Sequence, residues 1–179
     1  MGLDVSAYAR IKKLDAVFDD GGDAIDPTSR EPLAYDFRAY HNPDFPGRAD
    51  DIENRGVYLG EDAVGLSVGY GGYNAWREEL AKVAGYRKGT FKQFGRDQES
   101  HCVECWNGAQ GPFAELINFS DCEGTIGTAV SAKLAHDFAE FDAKAKAHSS
   151  DHGSRFYTLY GEFRAVFEMA ADGGAVSFH

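Results

Sequence analysis

The chain has 179 residues, of which 43% are hydrophobic and 13% aromatic, and a formal net charge of −11. That much apolar surface supplies a core and excludes a disordered chain, while no apolar run reaches the roughly 20 residues of a membrane-spanning helix. The acidic balance repels phosphate backbones, so direct nucleic-acid binding is not expected, whereas solubility or a basic partner suits it.

The start, Met1-Gly2-Leu3-Asp4-Val5-Ser6, lacks the basic and then apolar regions of a secretory signal. Gly2 and Ser6 fit the formal myristoylation pattern, but a first strand beginning at Leu3 accounts for the same residues. From Leu3 to Phe18, Val5, Tyr8, Ile11, Leu14 and Val17 are interleaved with polar residues, a strand-like pattern. Asp19-Asp20-Gly21-Gly22-Asp23 then reads as a turn, because consecutive glycines permit positive φ. Residues 25–32 read as irregular chain, and Tyr35 to Tyr40 as a half-buried strand of period two.

The stretch from His41 to Asp51 holds Pro43, Pro46 and Gly47 and is predicted to be a loop, pinned by Phe45. Short strands are expected at Val57–Leu59 and Leu66–Val68. A helix follows, with Asn74 as N-cap, Tyr73, Trp76, Leu80 and Val83 on its apolar face, and Gly85 as its stop. Residues 86–111 read as loop with one strand at most.

Phe113, Leu116, Ile117 and Phe119 form an apolar run suited to a core, broken by the polar turn Ser120-Asp121-Cys122-Glu123-Gly124. Thr128 caps a helix with the stripe Val130, Leu134, Phe138, Phe141 and Ala145; Ser149–Ser154 reads as a linker. A last helix carries Phe156, Leu159, Tyr160, Phe163, Val166, Phe167 and Ala170 on one face and ends at Gly173-Gly174. Strands first and helices later give an α+β class. Residues 1–179 are expected to be one domain, an N-terminal antiparallel sheet packed against about three amphipathic helices.

Three constellations are candidates for chemistry. Gly65, Gly69, Gly71 and Gly72 precede the helix, with Tyr70, Tyr73 and Trp76 available to stack on a base and Arg77 to meet a phosphate. Tyr70, Gly71, Gly72, Tyr73, Asn74 and Arg77 are therefore ligand candidates, with Arg48 from the 42–51 loop as part of a roof. The same residues also fit a tight strand-to-helix turn with Trp76 in the core. His101, Cys102 and Cys105, with Cys122 beyond, have the donor types of a zinc site, but lack a second cysteine pair. No metal and no cofactor is expected, and the three cysteines, an odd count, read as free thiols of a reducing cytoplasm. Asp121, Glu123 and His136 could form an acid–base group, though Asp121 equally suits the turn it sits in.

The start Met1–Val5, the loop segment 42–48, residues 70–77, residues 118–124 and the ending 167–178 together resemble a group of small uncharacterised proteins of bacteriophages and prophages. The likeness spans nearly the whole chain. It implies a phage origin and the cytoplasm of an infected bacterial host, and it brings no activity or site residues. Small phage accessory proteins often counter host defences, and that analogy shapes the expected function. The first expectation is capture of a nucleotide-like small molecule by binding, without catalysis. A protein-directed inhibitor of a host factor acting through its acidic surface is the alternative. A nucleotide-degrading hydrolase using Asp121, Glu123 and His136 is the third reading.

Overall fold

The computed structural model describes residues 2–120, 123–152 and 154–179. Seven strands come first: β1 (Gly2–Ala9), β2 (Lys12–Lys13), β3 (Val17–Phe18), β4 (Ala24–Ile25), β5 (Phe37–Arg38), β6 (Val57–Leu59) and β7 (Asp62–Gly69). Helix α1 (Tyr70–Ala84) leads to the hairpin of β8 (Gly89–Gln93) and β9 (Arg96–Ser100). Two short helices, α2 (Val103–Trp106) and α3 (Ala114–Asn118), precede β10 (Gly124–Ile126). Two long helices, α4 (Thr128–His152) and α5 (Ser154–Ala170), and the closing strand β11 (Ala175–Phe178) complete the chain. The α+β class holds, but the described residues form five helices rather than about three. None of them is long and apolar enough to cross a membrane.

The main sheet has the order β10-β11-β1-β7 and is antiparallel throughout. Its centre is β1, whose Leu3, Val5, Ala7 and Ala9 point inward in strict alternation. Val5 stands opposite Leu66 on one side and Phe178 on the other. The sheet is thus not N-terminal, as expected, because two of its four strands come from the chain's second half. The strand-like run also breaks early: Arg10 turns the chain with φ of 47° and pairs with Glu61, Asp62 and Asp172. The expected turn at 19–23 joins β3 to β4, and Gly22 there has φ of 86°.

Helices α4 and α5 form an antiparallel hairpin, with Phe138 against Phe167 near one end and His148 against Phe156 near the other. The Tyr160 hydroxyl donates to the Phe138 carbonyl at 2.7 Å, so even the phenolic tip in this interface is satisfied. Tyr160, Phe163, Val166, Phe167 and Ala170 of α5 are buried with Val5, Val176 and Phe178 of the sheet in one core. The linker expected over 149–154 is helical on both sides of Gly153, which itself lies outside the described residues. Tertiary contacts hold the last turns of α4, since His148 meets Glu79 of α1 at 2.7 Å.

Candidate functional site

Helix α1 begins one turn earlier than the capping pattern implied. Gly69, with φ −64° and ψ 142°, is its N-cap, so Gly71 and Gly72 are helical and no glycine cradle exists there. Nothing lies within 4 Å of where a Cβ would stand on Gly69 or Gly71, so neither is required for a close approach. Tyr73 is fully buried, its ring stacked on Phe163 at 5.6 Å and its hydroxyl donating to the Phe119 carbonyl at 2.9 Å. Tyr70 is half-buried against the same core. Tyr73 therefore serves packing, while Tyr70 keeps part of its surface open at this turn.

Arg77 and Arg48 are also used internally. Arg77 is 5% exposed; its Nη1 donates to the Ile117 carbonyl at 2.7 Å and its Nη2 to the Asn74 side chain. Arg48 Nε donates to the Glu115 carbonyl at 3.3 Å. With Tyr73 on Phe119, three candidate ligand residues converge on carbonyls in and just after α3. A helix of five residues leaves most of its carbonyls without intrahelical partners, and these side chains supply them. The 42–51 loop is tied to the same region. Asn42 donates to the Glu123 carbonyl at 2.7 Å, Phe45 lies 5.0 Å from the Phe119 ring, and Asp51 accepts the Ala129 amide at 2.7 Å. It braces the central stretch and caps α4; it does not roof α1.

The acid–base candidates are not drawn together in the described residues. The side chain of His136 is 76% exposed, with its ring 3.8 Å from Glu140, and Glu123 is also exposed. Asp121 lies outside the described residues. The acid that does face inward on α4 is Asp137, which accepts the Phe113 amide at 2.7 Å and pairs with Lys133 at 2.8 Å. Phe113 needs that support, since it is fully buried in the left-handed region at φ of 57°.

Of the metal candidates, His101 turns its Nδ1 to Glu78 at 2.6 Å, and the Cys102 thiol faces the same carboxylate at 3.8 Å. Burial pushes both the Cys102 and Cys105 thiols up to about 11, so they stay protonated at neutral pH. Cys122 lies outside the described residues, and among those residues no group of three or more His, Cys, Asp or Glu is placed to hold a metal ion.

What the fold does build is a cleft of about 310 Å³ between α1, the β8–β9 hairpin and α2. One wall is polar, from Asn74, Arg77, Glu78 and Ser100; the other is aromatic, from Phe91 and Trp106, whose rings meet edge to face at 5.0 Å. Burial raises the Glu78 carboxyl, but hydrogen bonds from Ser100 and His101 outweigh it and hold the group below its ordinary range. The Nε of Arg77 is buried with no hydrogen-bond partner among the described residues. Asn74 and Arg77 were legible as site candidates; Glu78, Phe91, Ser100 and Trp106 were not. For Phe91 and Ser100 the signal was the pair Phe94-Gly95 between two polar runs, a two-residue hairpin turn hidden in a stretch read as loop. A second concavity, about 450 Å³, opens between α1 and α5 over Ala75, Trp76, Phe156 and Leu159, with Gly72 in its lining.

No protein-family model matches the chain, and no curated protein or solved structure matches it.

Proposed function

We propose that the chain is a single α+β domain that captures a nucleotide-like small molecule in the cleft between α1 and the β8–β9 hairpin. The observation that carries this reading is the pairing of walls, polar on α1 and aromatic on Phe91 and Trp106, across about 310 Å³. Such a volume lies at the small end of ligand pockets and suits a base with its sugar. Trp106, 40% exposed, offers a face for stacking, while Glu78 can accept and Asn74 can donate along the edge of a heterocycle. Arg96 stands opposite Gln93 in the hairpin register, hence on the face that carries Phe91 and Gln93 toward the cleft, where it can meet a phosphate.

On this reading the protein acts by binding, as a phage accessory protein in the cytoplasm of an infected host, an assignment supported by the sequence resemblance alone. Calorimetric titration with linear and cyclic nucleotides tests it, with Trp106→Ala and Glu78→Gln as variants expected to lose binding while remaining folded. Recovery of unchanged nucleotide after incubation separates capture from hydrolysis through Asp121, Glu123 and His136. No binding by any member of the panel removes this reading and favours the protein-directed inhibitor.

A further inference from the structure

Phe94 is 97% exposed at the tip of the β8–β9 hairpin, and nothing in the fold asks for it there. The turn has φ of 50° at Phe94 and 75° at Gly95, both positive, between the paired Gln93 and Arg96. That is the type I′ geometry, for which Asn-Gly is the favoured pair and a bulky residue at the first position is disfavoured. An aromatic ring held in water, on a backbone conformation it does not prefer, costs stability and serves no core. The hairpin under it is otherwise well braced, by Lys88 with Glu99, Lys92 with Asp97 and the Phe91–Trp106 contact at its base.

We propose that Phe94 is the knob of a self-association contact and seats in the α1–α5 cleft of a second copy of this chain. Two observations favour a second copy as the occupant. The cleft, about 450 Å³ and lined by Ala75, Trp76, Phe156 and Leu159, is large and apolar enough for a phenyl ring, with Arg155 at hand for the ring face. Charge bears on it as well: the hairpin and its approach, residues 87–100, hold Arg87, Lys88, Lys92 and Arg96 against Asp97 and Glu99. Arg87, Lys88 and Lys92 have carboxylate partners, whereas Arg96, beside Phe94, has no ion pair among the described residues. The tip thus sets one uncommitted cation beside an exposed ring, and the cleft of a second copy carries Glu79 in its lining to meet that cation. A two-fold pair would seat both knobs in both clefts and close the assembly.

Sedimentation equilibrium over a dilution series tests this on the wild type, on Phe94→Asn and on Ala75→Arg. Phe94→Asn leaves the turn with its favoured residue pair, and Ala75→Arg places a cation, like-charged with Arg96, at an exposed helical position of the cleft, so neither should disturb folding; circular dichroism and melting temperature check this. The expected result is a wild-type dimer, weakened roughly tenfold or more in each variant, as for an aromatic hot spot. An equimolar mixture of the two variants should recover part of the association, since it retains one intact knob and one intact cleft. A wild type that stays monomeric at its highest soluble concentration overturns the proposal, as does a Phe94→Asn variant that dimerises like the wild type. A mixture no better than either variant alone overturns the pairing of knob with cleft.

Discussion

The Arg77 guanidinium donates to the main-chain carbonyl of Ile117 at 2.7 Å, inside the core and 40 residues away in sequence. A cation that reads as a surface ligand for phosphate is instead a brace for the central stretch. Arg77→Ala should cost about 1.5–3 kcal/mol, the usual range for a bond to a charged group. Arg77→Lys should recover little, because a single ammonium cannot hold Ile117 and Asn74 in the planar fork that the guanidinium provides. Denaturant titration of the two variants measures both; a neutral alanine variant would show that the brace is dispensable.

Phe119 is fully buried between Phe45, at 5.0 Å, and Phe178, at 4.8 Å, and so joins the 42–51 loop to the sheet. Phe119→Ala should destabilise by about 3–5 kcal/mol, since a large ring is lost with little room for collapse. The same variant should raise hydrogen exchange in residues 42–51, which rest on that ring. Unchanged exchange there would separate the loop from the core.

Gly174→Ala should destabilise although it adds only a methyl group. A Cβ at this position would run into the backbone carbonyl of Tyr8 in β1, which cannot swing aside as a side chain can. Overpacking of this kind costs about 1–3 kcal/mol. A melting temperature equal to the wild type's would show that α5 and β1 can separate there without loss.

Acid should weaken the protein through Glu78 and Glu79. Burial raises each carboxyl, but the bonds from Ser100 and His101 to Glu78, and from Lys82 and His148 to Glu79, bring both below their ordinary value of 4.5. A carboxyl depressed in the folded state binds its proton more readily when unfolded, so its stabilisation is present above 4.5 and is lost as pH falls through the folded value. Unfolding free energy measured across that window should fall with pH, and the slope should flatten in a Glu78→Gln, Glu79→Gln double variant. Equal slopes would assign the acid sensitivity to other groups.

Native Cys102 and Cys105 should resist alkylation at neutral pH, because burial keeps both thiols protonated up to about 11 and shields them from reagent. Peptide mapping after a short exposure to iodoacetamide should find them unmodified in the native protein and modified in denaturant. Rapid native labelling at either position would mean that α2 opens readily.

Much of this architecture is legible in the sequence because it is periodic and local. The apolar stripes from Val130 to Ala145 and from Phe156 to Ala170 specify α4 and α5, since a helix repeats its faces every three to four residues. Gly85 ends α1 in the left-handed conformation, φ 92°, that glycine adopts without strain. Phe113, Leu116, Ile117 and Phe119 are buried, as a run of that hydrophobicity demands. The loop at 41–51 follows from its prolines and glycine.

Pairings over long separations were decided only in three dimensions. Residues 175–178 form a strand because β1 and β10 lie on either side of them, and four residues carry too little periodicity to announce it. The hairpin at 89–100 has mostly polar, exposed faces, so no apolar alternation marks it. Arg48, Tyr73 and Arg77 have the chemistry of ligand residues, and only the folded chain shows that the carbonyls of Glu115, Ile117 and Phe119 reach them first. Hydrogen-bonding capacity is written in a residue's type, but the partner that satisfies it is chosen by which groups the fold withdraws from water together.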